Sequence, residues 1–184
     1  MKKILVLIIC LLFLTGCESN NYRHVEINVK DMGTIKLELD ESAAPITVAN
    51  FIKLAKEGFY DGLSFHRVID GFMIQGGSPT YDTSGNSKTR IKGEFSQNGV
   101  DNPIKHERGV ISMARAKDPD SASCQFFIMH QDNSSLDGAY AAFGRVTEGM
   151  DIVDNIAKNT IVEDNNGTVL KENQPIIESI KVID

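Results

Sequence analysis

Alternation of polar and apolar residues is cleanest near the start of the chain, where His24 to Lys30 and Thr34 to Leu39 form two segments separated by Asp31-Met32-Gly33. A period of two marks a strand with one buried face, and the residues between the segments predict a hairpin. In the second segment Ile35, Leu37 and Leu39 fall on one side, and Lys36 and Glu38 on the other, which predicts a sheet with one wet face. The period then changes. Pro45 suits a first helical turn, Val48, Phe51, Ile52 and Ala55 recur at helical spacing, and Gly58 supplies a stop. Further strands are predicted over Leu63 to Ile69, Phe72 to Gln75, Val110 to Arg115, Gln125 to Met129, Ala142 to Thr147 and Ile176 to Ile183, with a second helix over Gly149 to Lys158. Many short strands with two helices favour a closed barrel or a sandwich over a parallel α/β sheet. The stretches Ser78 to Lys92 and Asn159 to Gln174 turn to Thr, Ser, Asp, Asn and Gly, so both are predicted as exposed loops.

The first residues follow neither pattern. Met1-Lys2-Lys3 precedes an apolar run from Ile4 to Leu14, and Leu14-Thr15-Gly16-Cys17 follows. The run is too short to span a bilayer as a helix, and its basic start and small residues predict an export signal. Leu-Thr-Gly-Cys resembles the bacterial lipobox, in which the cysteine is lipidated and becomes the new N-terminus. The expectation is a signal peptide over 1–16, a lipidated Cys17 with a polar tether over 17–23, and one domain over 24–184, anchored to a bacterial membrane outside the cytoplasm. Loss of the signal takes two lysines from 19 basic residues and leaves 17 against 25 acidic ones, a net charge of −8. Nucleic acid is therefore excluded as a partner, because phosphate binding needs a basic surface. Cys10 leaves with the signal and Cys17 carries lipid, so Cys124 is left as a lone thiol and no internal disulfide forms. A chain of this size with 41% hydrophobic residues buries enough surface to fold without such a staple.

The run Phe65-His66-Arg67-Val68-Ile69-Asp70-Gly71-Phe72-Met73-Ile74-Gln75-Gly76-Gly77 holds the candidate chemistry. On a regular strand Phe65, Arg67 and Ile69 share one face, and His66 and Val68 take the other. A guanidinium on an apolar face needs a partner or a task, and Gln75 is a candidate to orient it. Other chemistries fail. Gly71 to Ser78 has the glycine spacing of a P-loop but puts Gly77 where the lysine must be. His24, His66, His106 and His130 show no ligand spacing for zinc, and no Gly-x-Ser-x-Gly turn is present. Cys124 precedes an apolar strand and reads as a buried, inert thiol.

Four blocks occur in order: the Phe65 to Gly77 run, Gly109-Val110-Ile111-Ser112-Met113-Ala114, Gln125-Phe126-Phe127-Ile128, and Leu136-Asp137-Gly138 with Phe143-Gly144-Arg145-Val146. Together they resemble the cyclophilin family of peptidyl-prolyl cis/trans isomerases over nearly all of the chain from about His24 to Asp184. The resemblance implies a mostly β fold, a closed eight-stranded antiparallel barrel capped by two α-helices. It implies Arg67 as the catalytic residue, oriented by Gln75. Phe72, Met73, Phe127 and Leu136 would line a proline pocket, Gln125 and main-chain groups near Ala114, Arg115 and Ala116 would meet the peptide, and Tyr140 would form an aromatic wall. Proline-containing polypeptides are the implied partners of a monomer that uses no metal and no cofactor.

Three positions depart from the better-known eukaryotic members: Ser135 replaces a tryptophan, Tyr140 a histidine and Arg115 an asparagine. Loss of the indole donor implies weak sensitivity to cyclosporin. The loop from Thr80 to Asn86 is also poorer in glycine than the family's usual version. Two other functions fit parts of the pattern, a module that holds proline-rich segments without turnover and a purely structural envelope lipoprotein. Arg67 with Gln75 favours the enzyme, because a binder needs the apolar pocket but not an oriented guanidinium.

Overall fold

The computed structural model describes residues 21–184, so the expected signal with Cys10 and the expected lipidation site Cys17 lie outside the described residues. Eight strands form one antiparallel sheet: β1 (Tyr22–Val29), β2 (Gly33–Asp40), β3 (Phe65–Ile69), β4 (Met73–Gly76), β5 (Val110–Met113), β6 (Phe126–Met129), β7 (Ala142–Glu148) and β8 (Ile177–Val182). Their order across the sheet is β3-β4-β6-β5-β7-β2-β1-β8. Two helices, α1 (Pro45–Lys56) and α2 (Met150–Asn159), complete the set expected from the periodicities. Strand β1 begins at Tyr22, so Tyr22 and Arg23, expected in the tether, already pair with Asp40 and Leu39. The two outermost strands share no ladder. They meet through a single bridge between Ser64 and Ile176, flanked by main-chain bonds from Phe65 N to Pro175 O and from Ile177 N to Leu63 O.

The period of two distributes side chains to two faces. The inner face collects Val25, Ile27, Ile35, Leu37, Leu39, Ile74, Ile111, Phe126 and Ile128 into the main core. Both helices close over it. Phe51 of α1 is fully buried with its ring 5.3 Å from Phe143 and 5.5 Å from Phe126, and burying such a ring contributes about 2–3 kcal/mol. The alternate residues Met73, Val110, Phe127 and Met129 form a second apolar cluster on the outer face. Three neighbouring strands, β4, β6 and β5, are therefore buried on both sides, where the hairpin β1–β2 is not.

Strand β3 departs from regular pleating. The register runs from Phe65 opposite Gly76 directly to Arg67 opposite Gln75, which makes His66 the extra residue of a β-bulge. Phe65 consequently packs in the main core with Val68, while Ile69 joins the outer cluster. The expectation that Phe65 shares the face of Arg67 is corrected by this inserted residue.

Helix α1 begins without a local cap: Ala44 offers no side-chain acceptor, and the first turn holds no acid. Glu94, buried and far away in sequence, takes that role. Its carboxylate accepts hydrogen bonds from Ile46 N at 3.0 Å, Thr47 N at 2.7 Å and Thr47 Oγ1 at 2.7 Å. Charge-assisted bonds to exposed helical N–H groups are strong. Glu94→Ala is expected to lower the unfolding free energy by about 2 kcal/mol or more with the fold retained. Urea denaturation followed by circular dichroism measures this, and an unchanged midpoint would remove the remote cap from the account.

Candidate functional site

Arg67 leaves β3 on the outer side of the sheet, half-buried, at the rim of a cavity of about 390 Å³. Its Nε donates to the carbonyl of Asn166 at 2.8 Å, and its Nη1 donates to Gln75 Oε1 at 3.2 Å. Among the described residues no carboxylate forms an ion pair with it, and Nη2 has no partner. Burial lowers its pKa, while Tyr140 and Asp164 act in the opposite direction from a distance. Two neutral acceptors thus hold the guanidinium and leave one corner of the fork free.

Behind Gln75 runs a line of amides. Gln75 Nε2 donates to Gln125 Oε1 at 2.9 Å, and Gln125 Nε2 donates to the carbonyls of Thr83 at 3.1 Å and Gly85 at 2.6 Å. Both glutamines are more than nine-tenths buried. The side chain of Gln125, expected to meet a peptide, has both amide hydrogens engaged by the loop 83–85 and keeps capacity at Oε1. The apolar side of the cavity is built from Phe72, Met73, Phe127, Leu136 and Tyr140, and the opposite lip from Ala114, Arg115 and Ala116. All eleven cavity residues singled out from the sequence therefore border one space. Cys17 alone lies outside the described residues.

Neighbouring elements set the walls. His106 stacks on Phe127 with ring centroids 6.0 Å apart and an 18° interplanar angle, and it bonds Ser112 Oγ and Asp137 Oδ1 through its two ring nitrogens. Burial depresses its pKa against the pull of Asp137. Phe72 sits after the turn at Gly71 (φ 75°), where its carbonyl accepts from His130 N at 2.8 Å and Gly71 N donates to His130 Nδ1 at 3.0 Å. Cys124 is fully buried, and burial raises its thiol pKa, which keeps it protonated.

Several contributors were not singled out in the sequence. Thr83, Asn86 and Ser123 also border the cavity. The stretch 159–174, expected as an exposed loop, lies along β3: Val68 N donates to Gly167 O at 2.8 Å, Val169 N to His66 O at 3.1 Å, and Val169 is buried. Gly167 adopts φ 79°, and a Cβ there would stand 2.2 Å from Val68 O, so only glycine fits the turn that delivers the Asn166 carbonyl. The clue was the glycine after two asparagines, a turn signal with no distance attached. The other expected loop, 78–92, also holds buried points at Ser78, Gly85 and Ile91.

His66 differs from expectation as well. The bulge turns it toward Gln125 and into electrostatic range of Arg67 rather than to the opposite face. It is 2% exposed, neither ring nitrogen has a well-aligned hydrogen bond, and burial lowers its pKa to about 4.

The family model described as cyclophilin type peptidyl-prolyl cis-trans isomerase/CLD matches residues 24–182. Peptidyl-prolyl cis-trans isomerase B of Bacillus subtilis (strain 168) is 45% identical over 144 residues, which cover 78% of this chain and 92% of that protein. A crystal structure of a cyclophilin type peptidyl-prolyl cis-trans isomerase from Cryptosporidium parvum superposes with a TM-score of 0.77 at 30% identity, over 89% of this chain and 98% of that one. The same protein in the presence of the dipeptide ala-pro gives a TM-score of 0.76 at 30% identity, over 88% and 99%.

The depressed pKa of His66 has a definite sign. Between pH 6.5 and about 4 the unfolded chain binds a proton that the folded chain refuses, so this contribution is complete above pH 6.5 and is lost as pH falls toward 4. The loss amounts to roughly 3 kcal/mol. His66→Gln is expected to flatten the fall in stability over that window, measured by urea denaturation at pH 7, 5.5 and 4.5. Parallel profiles for the two proteins would mean that the ring is not held neutral.

Proposed function

Because this chain belongs to the cyclophilin-type peptidyl-prolyl cis-trans isomerases, enzymes whose substrates are proline-containing polypeptides, we propose that its Arg67 cleft turns X-Pro bonds of exported or surface proteins and so assists their folding. The observation that carries the reading is a guanidinium fixed by two neutral acceptors, beside an apolar cavity, with a donor left free.

The chemistry asks for little else. An X-Pro bond resists rotation because amide resonance must be broken, a barrier of roughly 18–20 kcal/mol. As the bond twists, the lone pair returns to the nitrogen, which becomes a hydrogen-bond acceptor it was not when planar. A donor held where that acceptor forms binds the twisted amide better than either flat one and lowers the barrier. The proline ring rests against Phe72, Met73, Phe127 and Leu136, and the adjoining main chain runs beside Ala114 to Ala116. Tyr140 walls the pocket. Gln75 keeps the fork from turning, and Gln125 keeps Gln75 in place. No covalent step is needed. The Cryptosporidium parvum neighbour, solved in the presence of ala-pro, supports a ligand of this chemistry.

The N-terminal pattern supports the location. A lipid on Cys17 would leave only residues 18–21 before β1, so the domain, acting as a monomer, would work close to the membrane surface. Ser135 in place of an indole donor supports weak inhibition by cyclosporin.

Arg67→Ala is expected to reduce kcat/KM for a proline peptide by about 100- to 1,000-fold while peptide binding persists. Binding without acceleration by the unaltered domain would leave a holding module in place of an enzyme. Expressed in a bacterial host, the full chain is expected to yield a mature N-terminus at a diacylated Cys17 by mass spectrometry, and Cys17→Ser is expected to move the protein out of the membrane fraction. A mature chain that begins elsewhere overturns the anchor.

A further inference from the structure

The cavity border holds two guanidinium groups and no carboxylate, in a chain whose net charge is −6. The second of these groups is Arg115, and its surroundings are unusual for a surface cation. Its guanidinium carbon lies 4.7 Å from the ring centre of Tyr140 and 5.1 Å from that of Phe95. Its Nε donates to Ala139 O at 2.9 Å, and its Nη1 donates to Ala116 O at 2.9 Å and to Lys117 O at 3.4 Å. Nη2 has no partner among the described residues, and none of their carboxylates pairs with Arg115. The acids nearby in sequence have other partners: Asp118 accepts from Asp120 N, Asp120 from Gly93 N and Asn98, and Asp137 from His106 N.

We propose that Arg115 is a specificity-determining residue that favours X-Pro sites with an acidic side chain close to the proline. The inference deepens the isomerase reading and rests on it. A flexible lysine would lose side-chain freedom on pairing with a substrate carboxylate, whereas this fork is already stacked and hydrogen-bonded, so little is left to lose. It lies beside the Ala114 to Ala116 lip and above Tyr140, where residues flanking the proline must pass. Its half-buried position also weakens screening by salt relative to a fully solvated pair. An ion pair of this kind is expected to change kcat/KM by about 2- to 5-fold, chiefly through KM.

The test is a peptide series with Glu, Gln or Lys placed in turn at each of the two positions on either side of the proline. Isomerisation is followed by NMR exchange, at low and high salt, with the unaltered domain, Arg115→Gln and Arg115→Lys. Circular dichroism checks that each variant is folded. The expected result is a Glu over Gln preference at one position or more, which Arg115→Gln removes, Arg115→Lys keeps in part and high salt reduces without abolishing. An identical preference in the unaltered domain and Arg115→Gln, or an equal loss with every peptide, would make Arg115 a packing residue and overturn the proposal. Failure of the unaltered domain to isomerise any peptide would instead overturn the isomerase reading.

Discussion

A guanidinium drawn partly out of water with no carboxylate to meet it is costly unless its hydrogens find other acceptors. At Arg67 those acceptors are an amide oxygen and a main-chain carbonyl, and most of the local architecture follows from supplying them. A carboxylate would have held the cation more strongly and neutralised its field. Neutral acceptors hold the direction and leave the charge. They must be held in turn, which explains the buried run from Gln75 through Gln125 to the carbonyls of 83 and 85, as well as the glycine turn that presents Asn166.

The sheet separates stability from chemistry by its pleat. Residues 74, 126 and 128 point into the main core, and their neighbours 73, 75, 127 and 129 point outward. The floor of the cleft, at Met73, Gln75 and Phe127, is therefore a face of strands packed from behind by aromatic rings, while loops and turns supply its rim. The strands beneath that floor are buried on both sides.

Much of this was legible in the chain. Strict alternation marked the hairpin, and helical spacing with Pro45 and Gly58 placed the first helix. The four motif blocks brought the cavity residues together by likeness to a family, not by periodicity. Arg67 was conspicuous because a charge interrupts an apolar run. What stayed hidden were features that depend on distance in three dimensions. The bulge at His66 leaves no mark in a pattern that counts every second residue. Asn166 contributes a carbonyl, which every residue type possesses, so nothing in its identity could betray it. Nothing in the sequence around Glu94 marks it as the cap of a helix that begins far earlier in the chain.

Glu94 has a consequence for how the molecule is made. Helix α1 lies 47 and 48 residues before the carboxylate that ties down its first turn. On a translating ribosome the helix emerges well ahead of that group, and its opening N–H groups remain with water until the later segment arrives. The first helical turn is thus capped only after four of the eight strands have been synthesised. A prolyl isomerase carries in its own first helix a bond that vectorial synthesis must leave open.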